Sequence, residues 1–418
     1  MFIFPGAHIT LWIWDVALMT ETHTRGFFMA RSYTRLRRSS RLLSGLLLMC
    51  LACVDPFAPN VLSIDYGILV IDGYFVPNDT TRIRLSRTVT MDSPVSTANE
   101  PPAIVRIEGD NGFAITLTPH DAQLYTAPPV NVDYQAQYRL MVRTSDGREY
   151  SSEYVPLAPK TTIDSLAVNE EPGSEIIGFS VFSHDTKNAS RYYSYQYDET
   201  WEYIAAGYSQ YEFKNGIVVP RRVASELYNC WRTRASSDIR LTTTAQLSED
   251  VVYDFQIAEM RQSDRRLYFA YSILVRQYVL TPDAYHYWRI LKQNSEELGT
   301  LFDPLPSQPD GNYTSTTDLG RPVIGFFTAS EVSTQRVLVT RSELQGPTEL
   351  YQSDGYEGCG AVLLSPGDMT ADNLAGKLIV QAKLADVTSE LRGYEVMPAY
   401  CLDCRLRGGT TVRPDYWR

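Results

Sequence analysis

Four cysteines are the residues whose type and spacing most readily suggest chemistry. Cys401 and Cys404 form a CxxC pair, while Cys230 and Cys359 lie far from each other. A CxxC pair can be a redox centre, half of a zinc site or a structural disulfide. A redox pair needs its first cysteine at a helix start after a strand, and zinc needs two further ligands. The sequence offers neither, so we predict structural disulfides and no metal or other cofactor.

Four cysteines allow three connectivities for two disulfides, and the sequence does not decide between them. We expect Cys401 to pair with its neighbour Cys404, and Cys230 to pair with Cys359. In the loop-entropy model the second pair would stabilise the fold by about 4 to 5 kcal/mol, because it closes a long loop, and the first pair by much less.

Cys53 suggests a different reaction, acylation of its thiol. From Met29 the chain reads MARSYTRLRRSSRLLSGLLLMCLAC, in which five arginines precede an apolar run and a terminal cysteine. This is the layout of a secretory signal, and its apolar run is too short to cross a bilayer. The lipoprotein signal peptidase cuts before a cysteine that follows a small residue, as Cys53 follows Ala52. Cys50 is a poorer candidate because the bulky Met49 precedes it.

We therefore predict a lipoprotein signal peptide at 29–52, acylation of Cys53 and a tether at 53–60. The alternatives are an ordinary cleaved signal or an uncleaved short anchor. Residues 1–28 precede a complete signal, and we interpret them as an extension produced by a start codon assigned too early; the other interpretation is an additional membrane segment. Acylation would anchor the protein to a membrane of the cell envelope, and the residues after Cys53 do not decide between its periplasmic and its cell-surface face.

No catalytic constellation stands out in the rest of the chain. His120, His184 and His286 are widely separated, and we interpret each as a surface or core residue. The sequence contains no metalloprotease, serine hydrolase, P-loop or dinucleotide motif. Acidic residues are too numerous for one pair to be selected for glycoside hydrolysis. We therefore expect a protein that is not an enzyme.

The stretch from 192 to 211 is rich in aromatic residues. We select as candidate ligand-binding residues Tyr193, Tyr195, Tyr197, Trp201 and Tyr203. Flat rings provide a large contact area for a sugar or a peptide. The alternative interpretation is that alternate rings of one strand cover a core.

The elements that position these residues are predicted to be mainly β-strands. Apolar and polar residues alternate around 105–107 and 138–142, which is typical of half-buried strands. Asn111-Gly112 and Asp146-Gly147 are hairpin-turn signals. We predict an immunoglobulin-like or transthyretin-like β-sandwich at 61–158.

The region 160–418 is predicted to be a larger β-rich domain with one helix and a cysteine-bearing carboxyl-terminal segment. The helix is expected near 282–298, because Thr281 is a suitable N-cap and Pro282 suits the first helical position. An apolar stripe follows at Ala284, Tyr285, Trp288 and Leu291. The net charge of −11 argues against nucleic acid as a partner, because phosphate binding requires clustered Lys and Arg.

Several segments, taken in order, carry a resemblance to a known family. They are RLSRT at 84–88, LTPDAYHYWRILK at 280–292, LFDPLPSQPDGN at 301–312, PVIGFFTASEVS at 322–333 and CLDCRLRGGTTVRPDYW at 401–417. Together with the lipoprotein signal, they resemble the Bacteroidota outer-membrane lipoproteins grouped as domain of unknown function 4249 (DUF4249). The resemblance implies no established activity or catalytic residue. Such lipoproteins are commonly encoded beside TonB-dependent receptors, so the resemblance implies that the protein works with a receptor of this kind.

We expect a lipid-anchored binding or accessory protein that is attached to the membrane through its acyl groups. Its expected partner is a TonB-dependent uptake receptor, and the sequence does not name its ligand. One alternative is an envelope hydrolase that acts on glycan or peptide through carboxylates. Another is a structural or adhesion lipoprotein.

Overall fold

The segments in which apolar and polar residues alternate form β-strands. The computed structural model describes residues 67–89, 98–171, 173–296, 309–344, 355–385 and 389–417. Strands make up 48% and helices 11% of the structure, which confirms the predicted mainly β fold class. The predictions for the extension at 1–28, the signal peptide at 29–52, the acylated Cys53 and the tether at 53–60 lie outside the described residues.

The strands are numbered here in chain order. The first thirteen are β1 (Leu69–Phe75), β2 (Thr81–Arg87), β3 (Ala98–Asn99), β4 (Ile104–Gly109), β5 (Ala114–Thr116), β6 (Thr118–Pro119), β7 (Leu124–Ala127), β8 (Gln137–Arg143), β9 (Glu149–Ser152), β10 (Val155–Ala158), β11 (Ile163–Glu170), β12 (Ile176–His184) and β13 (Tyr192–Ile204). The others are β14 (Tyr211–Lys214), β15 (Ile217–Pro220), β16 (Asn229–Ala235), β17 (Arg240–Thr243), β18 (Val251–Arg261), β19 (Ala270–Val279), β20 (Tyr313–Ser315), β21 (Val323–Ile324), β22 (Thr328–Ser330), β23 (Val332–Thr340), β24 (Val362–Leu364), β25 (Lys377–Leu384) and β26 (Leu391–Pro398). The α-helices are α1 (Pro282–Glu296) and α2 (Ala399–Leu402), and the 3-10 helices are Ala224–Leu227, Arg265–Leu267, Arg341–Glu343, Pro366–Asp368 and Cys404–Arg407.

The first sheet contains 13 strands and is nearly closed, like a barrel. Its main path runs β20-β9-β8-β10-β22-β1-β2-β7-β6. Alternate side chains point to opposite faces of a strand, and one face buries Phe75, Ile107 and Tyr138 completely. Gly112 and Gly147 adopt positive φ between β4 and β5 and between β8 and β9, as the predicted hairpin turns require.

Strands from a distant part of the chain complete this sheet. Strand β22 lies between β1 and β10 and pairs in parallel with both, while β21 pairs in parallel with the start of β1. Parallel neighbours need a long crossover connection, and here the crossover from β10 includes the second and third sheets. Residues Asp65–Arg418 form one compact unit. The division into domains at 61–158 and 160–418 stays a prediction.

Two further sheets enclose a second core. One has the order β11-β12-β18, and the other has the order β16-β13-β19-β23, with β17 also paired to β13. Phe179 of β12 and Tyr271 of β19 pack together with ring centroids 5.2 Å apart. A fourth sheet, of five strands in the order β15-β14-β25-β26-β24, packs around Ile379 and Val396.

Helix α1 agrees with the predicted helix at its first residue. The Thr281 hydroxyl accepts a hydrogen bond from the backbone N–H of Ala284 at 3.2 Å, which confirms the predicted N-cap. The apolar stripe packs between the first sheet, where Trp288 stacks with Tyr74 at 6.3 Å between ring centroids, and the sheet of β13, where Tyr285 meets Tyr192 at 5.0 Å. The predicted last residues, 297–298, lie outside the part of the chain described.

All four candidate cysteines form disulfides, but the expected pairing is wrong. Cys230 pairs with Cys404, and Cys359 pairs with Cys401. The CxxC turn lies between strand β16 on one side and the segment 355–360 on the other. Its two cysteines therefore face different neighbours, each with Cα atoms at a distance that a disulfide spans, 5.8 Å and 5.7 Å.

Loss of the two disulfides should destabilise the fold unequally. The Cys230–Cys404 bond joins residues 174 positions apart, and the Cys359–Cys401 bond joins residues 42 apart. Replacing the first pair by alanine should lower the free energy of unfolding by about 5 kcal/mol, and replacing the second by about 4 kcal/mol, because the longer loop loses more entropy when closed. Denaturant unfolding without reductant measures both.

The pairing itself is tested by proteolysis before Asp403, which separates Cys401 from Cys404. In an unreduced digest, mass spectrometry should find each of these cysteines joined to its distant partner. A fragment in which Cys401 and Cys404 remain joined to each other would contradict the structure.

Candidate ligand-binding cleft

Strand β13 carries all five aromatic residues selected from the sequence. Because side chains alternate along a strand, these odd-numbered residues share one face. Tyr193, Tyr195 and Tyr197 lie where the three-stranded sheet covers that face, and they are 0%, 1% and 7% exposed. The core interpretation fits these three tyrosines, whose burial leaves them no place in an exposed platform.

The same face of β13 continues into an open cleft. Near the start of β13, Tyr195 packs against Phe255 of β18 with ring centroids 5.2 Å apart, whereas residues at the end of β13 line the cleft. Trp201 and Tyr203 line the cleft at this end. Its other aromatic walls are Tyr228, Tyr268, Phe269 and Tyr356. Of the five selected aromatics, the half-buried Tyr203 therefore lies at the opening, while Trp201, 8% exposed, is almost as buried as Tyr197.

One wall of the cleft is formed by the segment 355–360. The Tyr356 hydroxyl donates a hydrogen bond to the Ile204 carbonyl at 2.7 Å, which fixes the ring against the end of β13. Three residues further on, Cys359 is bonded to Cys401. The hydrogen bond and the disulfide hold this segment in place from both ends.

The 3-10 helix Cys404–Arg407 forms an adjoining wall. The Arg407 guanidinium lies 4.2 Å from the centre of the Tyr356 ring, a cation–π contact. The Tyr203 hydroxyl donates to the Cys404 carbonyl at 2.7 Å. Burial raises the pKa of Tyr203 and of Tyr356, so both hydroxyls stay protonated and continue to donate. The disulfide to Cys230 anchors Arg407, as the other disulfide anchors Tyr356.

Three arginines surround the aromatic walls. Arg232 and Arg265 are exposed, and Arg407 is half-buried. None of them forms an ion pair with a carboxylate in the part of the chain that the structure describes. Arg232 instead lies 5.7 Å from the Trp201 ring centre and donates to the Arg407 carbonyl at 3.3 Å. The cleft therefore concentrates unpaired positive charge in a chain whose net charge is −11.

A buried ion network supports the 3-10 helix Arg265–Leu267 beside the cleft. The Glu199 carboxylate accepts hydrogen bonds from Arg266 at 2.5 Å and from Arg234 at 2.7 Å. It also accepts one from the Tyr271 hydroxyl at 2.8 Å. Hydrogen bonds to Asp264 and the nearby Glu199 charge raise the pKa of Arg266 above its usual range. These arginines are neutralised within the protein, unlike those of the cleft.

A second opening, the crevice, lies between β1 and β2 on one side and β13 and β19 on the other. Asp72 faces Arg84 across the β1–β2 pair, and Arg276 pairs with Asp198 at 2.5 Å. The Asp72 carboxyl reaches solvent but is crowded by protein, and this desolvation raises its pKa against the opposing effect of Arg84. The crevice is therefore lined by two carboxylates, those of Asp72 and Asp198, and the charge of Asp198 is neutralised by Arg276.

The histidines take no part in the cleft. His184 is exposed, and its Nδ1 atom lies 2.7 Å from the Asp164 carboxylate. This hydrogen bond raises the pKa of His184. His286 lies beside Arg289 on α1. Among the residues described, no three His, Cys, Asp or Glu side chains gather as a metal site. Within the same ranges no helix has both the length and the hydrophobicity that a membrane span requires.

Most cleft residues were missed in the sequence because they come from separate segments of the chain. The missed residues are Tyr228, Arg232, Arg265, Tyr268, Phe269, Tyr356 and Arg407. One signal could have located two of them, since Tyr356 and Arg407 each lie three positions from a disulfide-bonded cysteine. The correct disulfide pairing would have brought these two residues together.

The buried network generates a stability prediction. We expect Glu199→Gln to lower the free energy of unfolding by about 3 kcal/mol, because it removes the buried carboxylate that Arg234 and Arg266 share and leaves Arg266 paired with Asp264 alone. The matched control is Glu149→Gln, which removes an exposed contact with Arg143 at 3.7 Å and should cost less than about 0.5 kcal/mol. Denaturant unfolding measures both variants. Equal losses for the two would show that the network does not stabilise the fold.

Comparison with known proteins gives a family but no activity. No curated protein matches the chain. Among solved structures, a mutant of Salmonella alpha-2-macroglobulin is similar over 51% of this chain and 14% of its own, with 12% identity and a TM-score of 0.15. A TM-score this low supports no argument about fold or function. The family model for the domain of unknown function DUF4249 matches residues 54–336, more than half of the chain, and the chain therefore belongs to the DUF4249 family.

Proposed function

We propose that this chain is a lipid-anchored binding protein of a Bacteroidota outer membrane that captures a ligand for a TonB-dependent uptake receptor. The observation that carries the proposal is the open cleft at the end of β13, with aromatic walls and three unpaired arginines. Small-molecule sites are typically concave and largely apolar, with a few polar groups that fix orientation. The cleft has this composition.

The construction of the cleft also favours binding. Its walls are fixed by two disulfides and by the hydroxyls of Tyr203 and Tyr356, which donate to backbone carbonyls. A site whose walls are already ordered loses little conformational entropy when a ligand enters. A preformed cleft therefore favours capture of a ligand from dilute solution.

The arrangement of carboxylates distinguishes this proposal from the hydrolase alternative. Hydrolysis by a carboxylate pair needs both acids beside the bound substrate. The described residues that line the cleft include no Asp or Glu. In the crevice, Asp198 is engaged by Arg276, which leaves Asp72 without a free carboxylate partner in the opening. Non-covalent binding is the function that the geometry favours.

The proposed anchor places the described body within reach of a membrane receptor. From Cys53 to Gly67 the chain can span at most about 50 Å when fully extended. This reach is comparable with the size of a domain, so the cleft could approach a receptor on the same face of the membrane. Either the periplasmic or the cell-surface face satisfies this geometry.

The anchor is tested by replacing the two neighbouring cysteines in turn. We expect Cys53→Ser to accumulate as an unprocessed precursor without incorporated fatty acid, because the acylated thiol is lost. The matched control, Cys50→Ser, should be processed and labelled like the parent. Metabolic labelling with a fatty acid and immunoblotting measure both. Processing and labelling of Cys53→Ser like the parent would contradict the anchor.

The partner is tested by affinity purification of the intact protein from the native outer membrane, with mass spectrometry of co-purified proteins. We expect a TonB-dependent receptor to be recovered with the parent and to be absent with Cys53→Ser. Recovery of a lone monomer in repeated purifications would contradict the uptake role. Release of sugars or peptides from envelope material would instead support the hydrolase alternative.

A further inference from the structure

The chemistry of the cleft restricts the kind of ligand that it can hold. Resting on the proposed binding function, we infer that the ligand is an anion with a flat, apolar ring body, whose carboxylates or phosphates contact Arg232, Arg265 and Arg407. The inference concerns the cleft at the end of β13 and is independent of the identity of any receptor.

The first argument is charge. Among the described residues, the three guanidinium groups of the cleft have no carboxylate within ion-pair distance, whereas Arg234 and Arg266 nearby are paired directly. Glu357 near Arg407 and Asp264 near Arg265 act on them only at longer range. An unpaired guanidinium presents a planar set of N–H donors, which matches the oxygens of a carboxylate or phosphate. Because the chain as a whole is acidic, an anion is attracted to this cleft and repelled from most other surfaces.

The second argument is the polar inventory of the cleft. Among the described residues that line it, none is Asp, Glu, Asn, Gln, Ser or Thr. Apart from the tyrosine hydroxyls, the polar side chains of this described lining are the guanidiniums of Arg232, Arg265 and Arg407, which only donate hydrogen bonds. A neutral sugar presents many hydroxyl donors that need acceptors, and a cationic ligand needs a counter-charge. The cleft supplies mainly donors, so it selects a ligand that is rich in acceptors.

The third argument is the shape of the apolar walls. Tyr228 stacks on Tyr208 with ring centroids 3.9 Å apart, and Tyr268 meets Phe269 edge-on at 4.6 Å. These contacts hold the rings in defined planes, and aromatic rings pack best against other flat groups. The body of the ligand is therefore expected to be a flat ring.

Two pairs of probes test the inference with the intact protein by isothermal titration calorimetry. Trimesate, a benzene ring with three carboxylates, is compared with its neutral triamide, and adenosine monophosphate is compared with adenosine. We expect at least one of the anions to bind, and its neutral partner to bind at least tenfold more weakly. The two pairs distinguish carboxylate from phosphate recognition.

Variants locate the site. Arg265→Gln and Arg407→Gln should each weaken binding of the anion about tenfold, the loss expected for one charge-assisted hydrogen bond. Arg143→Gln, an exposed arginine of strand β8 far along the chain from the cleft, removes the same charge and should bind like the parent. Circular dichroism confirms that the variants are folded.

Three results would overturn the inference. They are binding of the neutral probes as tight as that of the anions, unchanged binding by both cleft variants, or no binding of either anion at concentrations up to about 10 mM, which corresponds to only about 3 kcal/mol. The receptor purification gives a separate result. Recovery of the receptor together with neutral-probe binding would refute the ligand class while leaving the proposed function supported.

Discussion

The strict two-residue period of strand β13 is the constraint on which the core and the cleft both depend. Its side chains alternate, so Tyr193, Glu199 and Tyr203 share one face over its whole length. The face is covered by a second sheet at one end and is open at the other. The same strand therefore supplies core tyrosines, a buried carboxylate and a cleft wall in succession. A shift of register by one residue would move all of them to the opposite face.

The arginines near this strand fall into two groups that differ in their electrostatic environment. Arg234 and Arg266 share the buried Glu199, and their charges are offset inside the protein. A carboxylate buried without such partners would be costly, so this set is internally consistent. Arg265 is adjacent in sequence to Arg266 but lines the cleft, and it forms no ion pair with any carboxylate of the described residues. Arg266 thus stabilises the 3-10 helix that also carries Arg265.

The disulfides connect segments that have little other reason to stay together. The segment 355–360 and the 3-10 helix Cys404–Arg407 are short and contribute few side chains to a core. Conformational entropy opposes the ordering of such segments, and covalent bonds reduce that entropy in the unfolded chain. Because the Arg407–Tyr356 contact joins the two segments, both disulfides act on the same part of the cleft.

The local pattern of the sequence was sufficient for the elements. Alternation marked the strands, Gly112 and Gly147 marked hairpin turns, and Thr281 with Pro282 marked the start of α1, because each of these signals acts within a few residues. The signal before Cys53 is likewise local, and it led to the predicted anchor. Four cysteines could be recognised as disulfide-bonded from their number and the predicted export.

The tertiary structure decided which distant residues meet. Placement of β22 between β1 and β10 and the two disulfide pairings depend on contacts between residues far apart in the chain. The aromatic stretch shows the limit most directly, since Tyr195 and Tyr203 lie on one face of one strand and have the same side chain. What the rest of the chain packs against each position makes the first a core residue and the second a cleft residue. No local pattern contains that information, because burial is set by what the rest of the chain packs against the strand.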